Sequence, residues 1–250
     1  MRSMNFASRN FKELIRDPLS WVFCLGFPIV MLLIMTLVNE SIPAEANMKI
    51  FQIPNLAPAI MVFGFTFVML FASLLISGDR TEAFLLRLYT SPMRSVDFVL
   101  GYLIPMAILS AGQAIITCIS SFILGAINGV SLSISGALLS IVSSFSAILM
   151  FTGFGLLFGS IFSKNAAPGI SSIIITFSGM LGGIWMDVES LGGALAEICN
   201  ALPFVHAVKA ARLAFSGNYA DSFTESGIVM IWAAAVLILS VVIFRKKMKA

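Results

Sequence analysis

Long stretches without a charged residue dominate the chain, and short polar connectors separate them. The uncharged stretches cover residues 18–39, 50–78, 98–163, 165–186 and 226–244. A helix needs about 20 mostly apolar residues to cross the hydrocarbon core of a bilayer. The third stretch is long enough for two such helices, and its segment GAINGVS has the Gly and Asn residues of a turn. The pattern therefore predicts six spans, at about 18–39, 55–77, 97–124, 132–162, 166–186 and 226–244.

The composition agrees with this pattern. Hydrophobic residues make up 59% of the 250 positions and charged residues only 11%, whereas about 25% of a soluble domain is charged. The net charge of +3 is too small and too scattered for a nucleic-acid binder. We therefore expect an all-α membrane protein, with residues 1–250 forming a single transmembrane domain in contact with membrane lipid and without nucleic acid.

The basic residues predict how the chain is oriented. With six spans both termini share one side, and that side carries 12 of the 15 Lys and Arg residues. Because cytoplasmic loops are enriched in these residues, we expect a multi-pass protein of the cytoplasmic membrane with both termini in the cytoplasm. The first stretch is longer than the core of a signal peptide, so we expect it to remain as a span.

The segment GDRTEAFLLRLYTSP, residues 78–92, concentrates charge and apolar residues in one predicted cytoplasmic connector. Asp79 and Glu82 have the spacing of a capping box, and Pro92 would end the helix. These signals predict a helix over 79–91 whose apolar positions share one face: Phe84, Leu85, Leu88 and Tyr89. That face could lie in the lipid headgroups, pack on the chain's own helix ends, or dock into a groove of a cytoplasmic partner.

No catalytic set is recognisable in the sequence. The phosphate-binding pattern Gly-x-x-x-x-Gly-Lys-Ser/Thr is absent, so we expect no ATP hydrolysis by this chain. The three Cys residues have no CxxC spacing and are expected to be buried thiols, and His206 has no Cys or His cluster around it. We expect no metal site and no cofactor in the chain. The predicted spans contain no central acid, which argues against an ion-gradient-driven carrier.

Small residues predict close helix packing. Two glycine pairs have small-xxx-small spacing, Gly155 with Gly159 and Gly179 with Gly183. They could serve packing inside one subunit or contact between subunits. Four serines give the fourth predicted span a polar side and could face a transport path or bond to backbone one turn back: Ser140, Ser143, Ser144 and Ser146.

The longest connector on the predicted outer side runs from residue 187 to residue 225. Within it, residues 189–217 have the pattern of two short helices broken at Leu202-Pro203. Phe204, Val208, Ala211 and Phe215 form an apolar stripe, with Lys209 and Arg212 off it. Two helices that enter the membrane and return would keep this backbone buried in protein. The alternative is a helix pair that lies on the outer leaflet.

Three segments together resemble the permease subunit of ABC transporters of the type-2 exporter family. RNFKELIRDPLSWVFCLGFPIVMLLI, residues 9–34, resembles the family's elbow helix followed by a first span with a proline. RTEAFLLRLYTSPMRSVDFVLGYLI, residues 80–104, resembles the coupling segment and third span, although Ala83 stands where many members have glycine. LPFVHAVKAARLAFSGN, residues 202–218, resembles the segment before the last span. The six-span plan with cytoplasmic ends also agrees with the family.

The resemblance implies a function and its partners. It implies an elbow helix over 4–17 and an exporter of an amphiphilic substrate, such as a drug, an antimicrobial peptide or a lipid-like molecule. Two copies of an ABC ATP-binding subunit, which hold ATP and Mg, would drive it, and a second permease copy or a paralogue would complete the path. The residues contacting the ATPase would be Arg80, Glu82, Phe84, Leu85, Arg87, Leu88 and Tyr89. The outer gate would include Pro203, Phe204, Val208 and Phe215. An ion-gradient-driven secondary carrier and an exporter of a polysaccharide or lipid-linked glycan are the alternatives.

Overall fold

The computed structural model describes residues 2–43, 48–81 and 94–247, except for the side chains of Arg2, Glu189 and Lys247. Within these ranges the chain is helical and has no strand. The helices are α1 (Arg2–Arg16), α2 (Pro18–Trp21), α3 (Phe27–Ser41), α4 (Ile53–Thr81), α5 (Ser95–Ile127), α6 (Ile134–Ser143), α7 (Phe145–Ile161), α8 (Ala167–Leu181), α9 (Gly193–Ala201), α10 (Pro203–Phe215) and α11 (Tyr219–Lys247).

Five stretches of the described helices are long and apolar enough to cross a membrane. They are Pro18–Ser41, Ile53–Thr81, Ser95–Ile127, Ile134–Ile161 and Tyr219–Lys246. Residues 166–186, predicted as a span, contain the shorter helix α8, whose 15 residues reach about 22 Å, less than the hydrocarbon thickness of about 30 Å. This helix ends at Leu181, and Gly183 two residues later adopts a φ of 76° that side-chain-bearing residues rarely adopt. The described part therefore contains five candidate spans and one shorter apolar helix.

The first candidate span contains a wide turn. Asp17 caps α2 by accepting hydrogen bonds from the backbone N–H groups of Leu19 and Ser20, both at 3.2 Å, and Pro18 starts the helix. A single π-turn, Val22–Gly26, connects α2 to α3. It ends two residues before Pro28, which has no N–H to donate to the preceding turn. The span therefore continues as helix through a proline without a break.

The centre of the bundle is α7, which packs between α4 and α11. Glycines allow the close approach of α7 to α4. A Cβ atom at Gly155 would lie 2.6 Å from the Met69 carbonyl oxygen, and one at Gly159 would lie 2.7 Å from the Ile76 Cβ. This glycine pair therefore serves packing inside one subunit.

The second glycine pair lies at the end of α8, where Gly179 faces both Trp185 and Phe63 of α4. A Cβ atom at Gly179 would lie 2.7 Å from the Trp185 indole nitrogen, so this glycine receives a side chain from the following turn. Gly183 lies beyond the end of α8 and has the left-handed backbone described above. Gly179 therefore lies within α8 and Gly183 beyond its end, so the two glycines do not share one continuous helix.

The predicted fourth span is two helices, α6 and α7, that meet at Ser144. Its four serines are buried; three of them bond to protein backbone, whereas the Ser144 hydroxyl has no hydrogen-bond partner among the described residues. Ser140 donates to the Ala211 carbonyl of α10 at 2.9 Å, and Ser143 and Ser146 donate to carbonyls in the preceding turn at 3.1 and 3.2 Å. The serines therefore hold α6 to α10 and satisfy local backbone.

Candidate functional site

The last turn of α4 contains a deeply buried carboxylate. Asp79 is 2% exposed and accepts hydrogen bonds from Arg9 Nη1 at 2.7 Å, Arg9 Nη2 at 2.9 Å and the Tyr102 hydroxyl at 2.7 Å. The predicted role of Asp79 as the N-cap of a separate helix is wrong, because α4 continues as helix through Thr81. Its side chain instead connects α4 to α1 and α5.

Helix α1 is amphipathic, and its apolar face packs on the start of α5. Phe6, Ala7 and Leu14 are buried on this face. The Phe6 ring lies so close to Gly101 that a Cβ atom there would be 2.2 Å from Phe6 Cδ1. Buried Asn10 donates to the Gly101 carbonyl oxygen at 3.0 Å. An apolar contact and a hydrogen bond at the same glycine therefore set the position of α1.

The guanidinium of Arg9 lies between two carboxylates. It contacts Asp79 as described and Glu13, one turn along α1, at 2.8 Å. Burial alone would lower the pKa of Arg9, but the hydrogen bond and the charge of Asp79 outweigh burial, and the pKa is raised. Arg9 therefore stays cationic at any physiological pH and balances the buried charge of Asp79.

The next residue, Arg80, connects α4 to the end of α7. Its Nη1 atom donates to the carbonyl oxygens of Gly159 at 3.0 Å and Phe162 at 3.1 Å. The last carbonyls of a helix have no partner within the helix, so a cation at this position stabilises α7. The other predicted ATPase-contacting residues lie outside the described residues: Glu82, Phe84, Leu85, Arg87, Leu88 and Tyr89.

The predicted outer segment contains two helices, α9 and α10, that meet at Leu202-Pro203. Pro203, Phe204, Val208 and Phe215 are all buried, and the Phe204 ring stacks on Phe151 of α7 at 6.1 Å between centroids. Helix α10 packs against α4, α6, α8 and α11. It is therefore enclosed by the spans, whereas α9 is mostly exposed.

The polar side of α10 borders a cleft. His206 bonds to Glu225 through Nδ1 and to the Asn200 carbonyl through Nε2 at 2.9 Å. Arg212 Nε donates to the Asn55 carbonyl at 3.0 Å. The cleft has a volume of about 450 Å³, and its charged lining consists of Lys49, Asp187, Lys209, Arg212, Asp221 and Glu225. It lies beside the start of α4, about 36 Å along that helix from Asp79.

A profile of the family described as ABC-2 type transporter matches residues 4–216, from α1 to the end of α10. The chain belongs to this family. No curated protein matches the chain. As an ABC-2 type transporter chain it is an integral membrane permease subunit, and its family implies association with an ABC ATP-binding subunit.

Sequence reasoning missed three residues that hold α1, α4 and α5 together in this ABC-2 type transporter: Arg9, Asn10 and Tyr102. Arg9 and Tyr102 are distant in sequence from Asp79, and Asn10 is distant from Gly101. Sequence spacing therefore did not predict these contacts. One signal was present in the sequence, because Asn10 interrupts the apolar face of α1 formed by Phe6, Ala7 and Leu14. A polar residue on a buried face needs a partner, and here the partner is the Gly101 carbonyl.

Proposed function

We propose that the chain is the permease subunit of an ATP-driven exporter that moves amphiphilic molecules across the cytoplasmic membrane. Drugs, antimicrobial peptides and lipid-like molecules are the candidate substrates. ATP and Mg bind to a separate ABC ATP-binding subunit, present in two copies. A second copy of the chain, or a paralogue, completes the path. Membership of the ABC-2 type transporter family supports the permease role, and the geometry around Asp79 supports the ATP-driven mechanism.

The observation that carries the proposal is how the last turn of α4 is held. Asp79 bonds to α1 and α5, and Arg80 bonds to the end of α7. Residues 82–93, which directly follow this turn, would form the contact with the ATPase. Because four helices meet at the start of this segment, a force applied to it would move them together. This is the mechanical connection that an ATP-driven permease needs.

The proposed orientation puts the Asp79 end of the bundle in the cytoplasm, together with both termini. Helix α1 would then be the elbow helix at the inner surface. Its exposed apolar residues Met4 and Ile15 would contact lipid, and Lys12 and Arg16 would reach the headgroups. Helix α8 would be the fifth of six spans, completed by the turn that follows Leu181. Helices α9 and α10 would form the outer gate.

An amphiphilic substrate is favoured by the surface of α8. Ile173, Phe177 and Met180 are exposed on this helix, and Ser172 and Thr176 donate to carbonyls one turn back at 2.8 and 2.9 Å. The surface is apolar with occasional hydroxyls and carries no charge. In a dimer, this face of α8 would line the transport path. Such a surface would suit apolar chains better than a strongly hydrated glycan.

The coupling ion of an ion-gradient-driven carrier usually binds to a buried carboxylate or to unwound backbone. Asp79 is the one buried carboxylate among the side chains that the structure describes. Both of its oxygens accept hydrogen bonds from Arg9, and Oδ2 also accepts one from Tyr102. This arrangement supports a role in connecting helices rather than in binding an ion.

Co-purification tests the proposal. The chain is expressed with candidate ABC ATP-binding subunits, extracted in mild detergent, and assayed for a complex with vanadate-sensitive ATP hydrolysis. We expect a complex that Leu85→Asp and Leu88→Asp disrupt. The matched control is Ile127→Asp, which puts the same charge on a 73% exposed residue at the opposite end of the bundle. Absence of any complex, or equal loss with Ile127→Asp, would contradict the proposal.

A further inference from the structure

The cleft beside α10 collects the basic residues of one end of the molecule. Lys49, Lys209 and Arg212 are the only Lys and Arg residues on the predicted outer side, and all three line this cleft. They come from the turn before α4 and from α10, which are distant in sequence. In a chain with only 11% charged residues, such a convergence needs a physical reason.

The acidic residues of the cleft have partners in the chain. Glu225 bonds to His206, and Asp221 accepts a hydrogen bond from Asn218 Nδ2 at 2.6 Å. Asp187 also has an interaction partner. By contrast, no ion pair of Lys49 or Lys209 is formed with any residue in the described part of the chain. The cleft therefore has three carboxylates beside its three cations, and Lys49 and Lys209 are the cations that have no ion pair among the described residues, so these two lysines remain available to a ligand.

The geometry of the cationic side is partly fixed. Lys209 and Arg212 lie three residues apart on α10 and thus on the same face. The hydrogen bond from Arg212 Nε to the Asn55 carbonyl holds the guanidinium against the start of α4. The hydroxyl-bearing residue Ser216 follows Arg212 by one turn and also lines the cleft. Lysine and arginine donors around one space suit the oxygens of a phosphate group.

Part of the lining is apolar. Ile50, Val188, Val205 and Leu213 form part of the wall. A volume of about 450 Å³ exceeds what a single phosphate ion fills, and an apolar wall next to cations suits a molecule with a charged head and a hydrocarbon part. The cleft thus combines the two chemistries of an amphiphile.

We propose that this cleft binds the phosphate-bearing headgroup of an amphiphile, with Lys49 and Lys209 as its main charged contacts and Arg212 as the fixed donor. The proposal concerns binding, and it stands whether or not the chain is driven by ATP. A bound headgroup would connect the start of α4 with α10, the two elements that border the cleft.

Calorimetric titration of the purified full chain in an uncharged detergent tests this site. The probe is dihexanoyl phosphatidic acid, and dihexanoylglycerol and inorganic phosphate serve as the uncharged and chain-free comparisons. We expect dihexanoyl phosphatidic acid to bind and dihexanoylglycerol to show no binding. Inorganic phosphate should compete only weakly with the phosphatidic acid. Lys49→Gln and Lys209→Gln should each weaken binding about tenfold, since each removes one charge-assisted contact, and Lys209→Arg should retain it.

The matched control is Lys12→Gln, which removes an exposed lysine from α1 at the other end of the bundle and should leave binding unchanged. Lys49 is itself exposed, so Lys49→Gln should not prevent folding. Unchanged affinity in both Lys49→Gln and Lys209→Gln, or an equal loss in Lys12→Gln, would overturn the site. Phosphate binding as tight as that of phosphatidic acid would overturn the headgroup in favour of the free ion.

Discussion

Arg9 and Asp79 are 70 positions apart in the chain and form a two-pronged ion pair, with N–O distances of 2.7 and 2.9 Å. The pair joins α1 to the last turn of α4. Arg9 is partly exposed, whereas Asp79 is almost fully buried. Loss of the ion pair should therefore cost more stability when Asp79 is left unpaired than when Arg9 is left unpaired.

Removing Arg9 should destabilise the protein more than removing the charge of Asp79. Arg9→Gln leaves a buried carboxylate without its cation, which costs about 3 kcal/mol. Asp79→Asn leaves a guanidinium that still contacts Glu13 and can reach water, so we expect a cost of about 1 kcal/mol. Thermal unfolding of the two variants in the same detergent gives the order.

The double variant Arg9→Gln with Asp79→Asn is the control for this comparison. It removes both charges, so its unfolding temperature should lie above that of Arg9→Gln alone. If the two single variants lose equal stability and the double variant loses their sum, the ion pair does not connect α1 to α4 as described.

Gly101→Ala should displace α1 from α5. A Cβ atom at this position would lie 2.2 Å from the Phe6 ring, so the ring has to move away from the Gly101 carbonyl that Asn10 contacts. We expect faster proteolysis within residues 2–16 and a lower unfolding temperature. Gly112→Ala on the same helix has nothing within 4 Å and should behave as wild type. Equal behaviour of the two variants would show that α1 does not dock at Gly101.

Gly155→Ala should destabilise the contact between α4 and α7. The new methyl group would lie 2.6 Å from the Met69 carbonyl oxygen and 2.7 Å from the Ala72 Cβ. Overpacking of this kind costs about 1–3 kcal/mol, measured as a lower unfolding temperature of the isolated subunit. Gly169→Ala on α8 meets nothing within 4 Å and serves as the control. A variant that alters only subunit association, with unchanged subunit stability, would assign Gly155 to an intersubunit contact.

Phe204→Ala should loosen α10. The side chain is 4% exposed and stacks on Phe151, so truncation leaves a cavity that costs about 3–5 kcal/mol. In the proposed transporter the same change should increase passive leak through reconstituted vesicles. Phe145→Ala removes an equally large but 53% exposed ring and should have little effect on stability or leak. If Phe204→Ala destabilises the subunit but causes no leak, α10 has only a structural role and is not part of the gate.

Hydrophobic patterning predicted much of the helical structure, because the cost of exposing backbone in a membrane leaves few alternatives. The turn at Asn128-Gly129 follows from the preference of glycine for positive φ, which is 68° here. The break at Leu202-Pro203 follows from the missing proline N–H. Patterning did not locate the end of α8, because uncharged residues continue past Leu181, where the helix ends. An apolar turn and an apolar helix cannot be separated by charge alone.

The contacts around Asp79 could not be predicted in the same way. Asp79 and Glu82 have capping-box spacing, and a local rule favoured a cap at Asp79. The tertiary partners Arg9 and Tyr102 instead keep Asp79 inside α4. The buried thiols were predictable, and all three cysteines are buried. Pairings between distant side chains depend on how helices pack, which one sequence does not encode in its local spacing.

The most direct test of the account is ATP-driven transport by the chain together with its ABC ATP-binding subunit. The complex is reconstituted into sealed vesicles with its ATPase facing outward, and uptake of a fluorescent amphiphile is followed. We predict uptake that requires ATP and Mg, stops with vanadate, persists when ionophores collapse ion gradients, and falls in Arg9→Gln but not in Gly112→Ala. Uptake driven by a proton or sodium gradient in the absence of the ATPase would contradict the account.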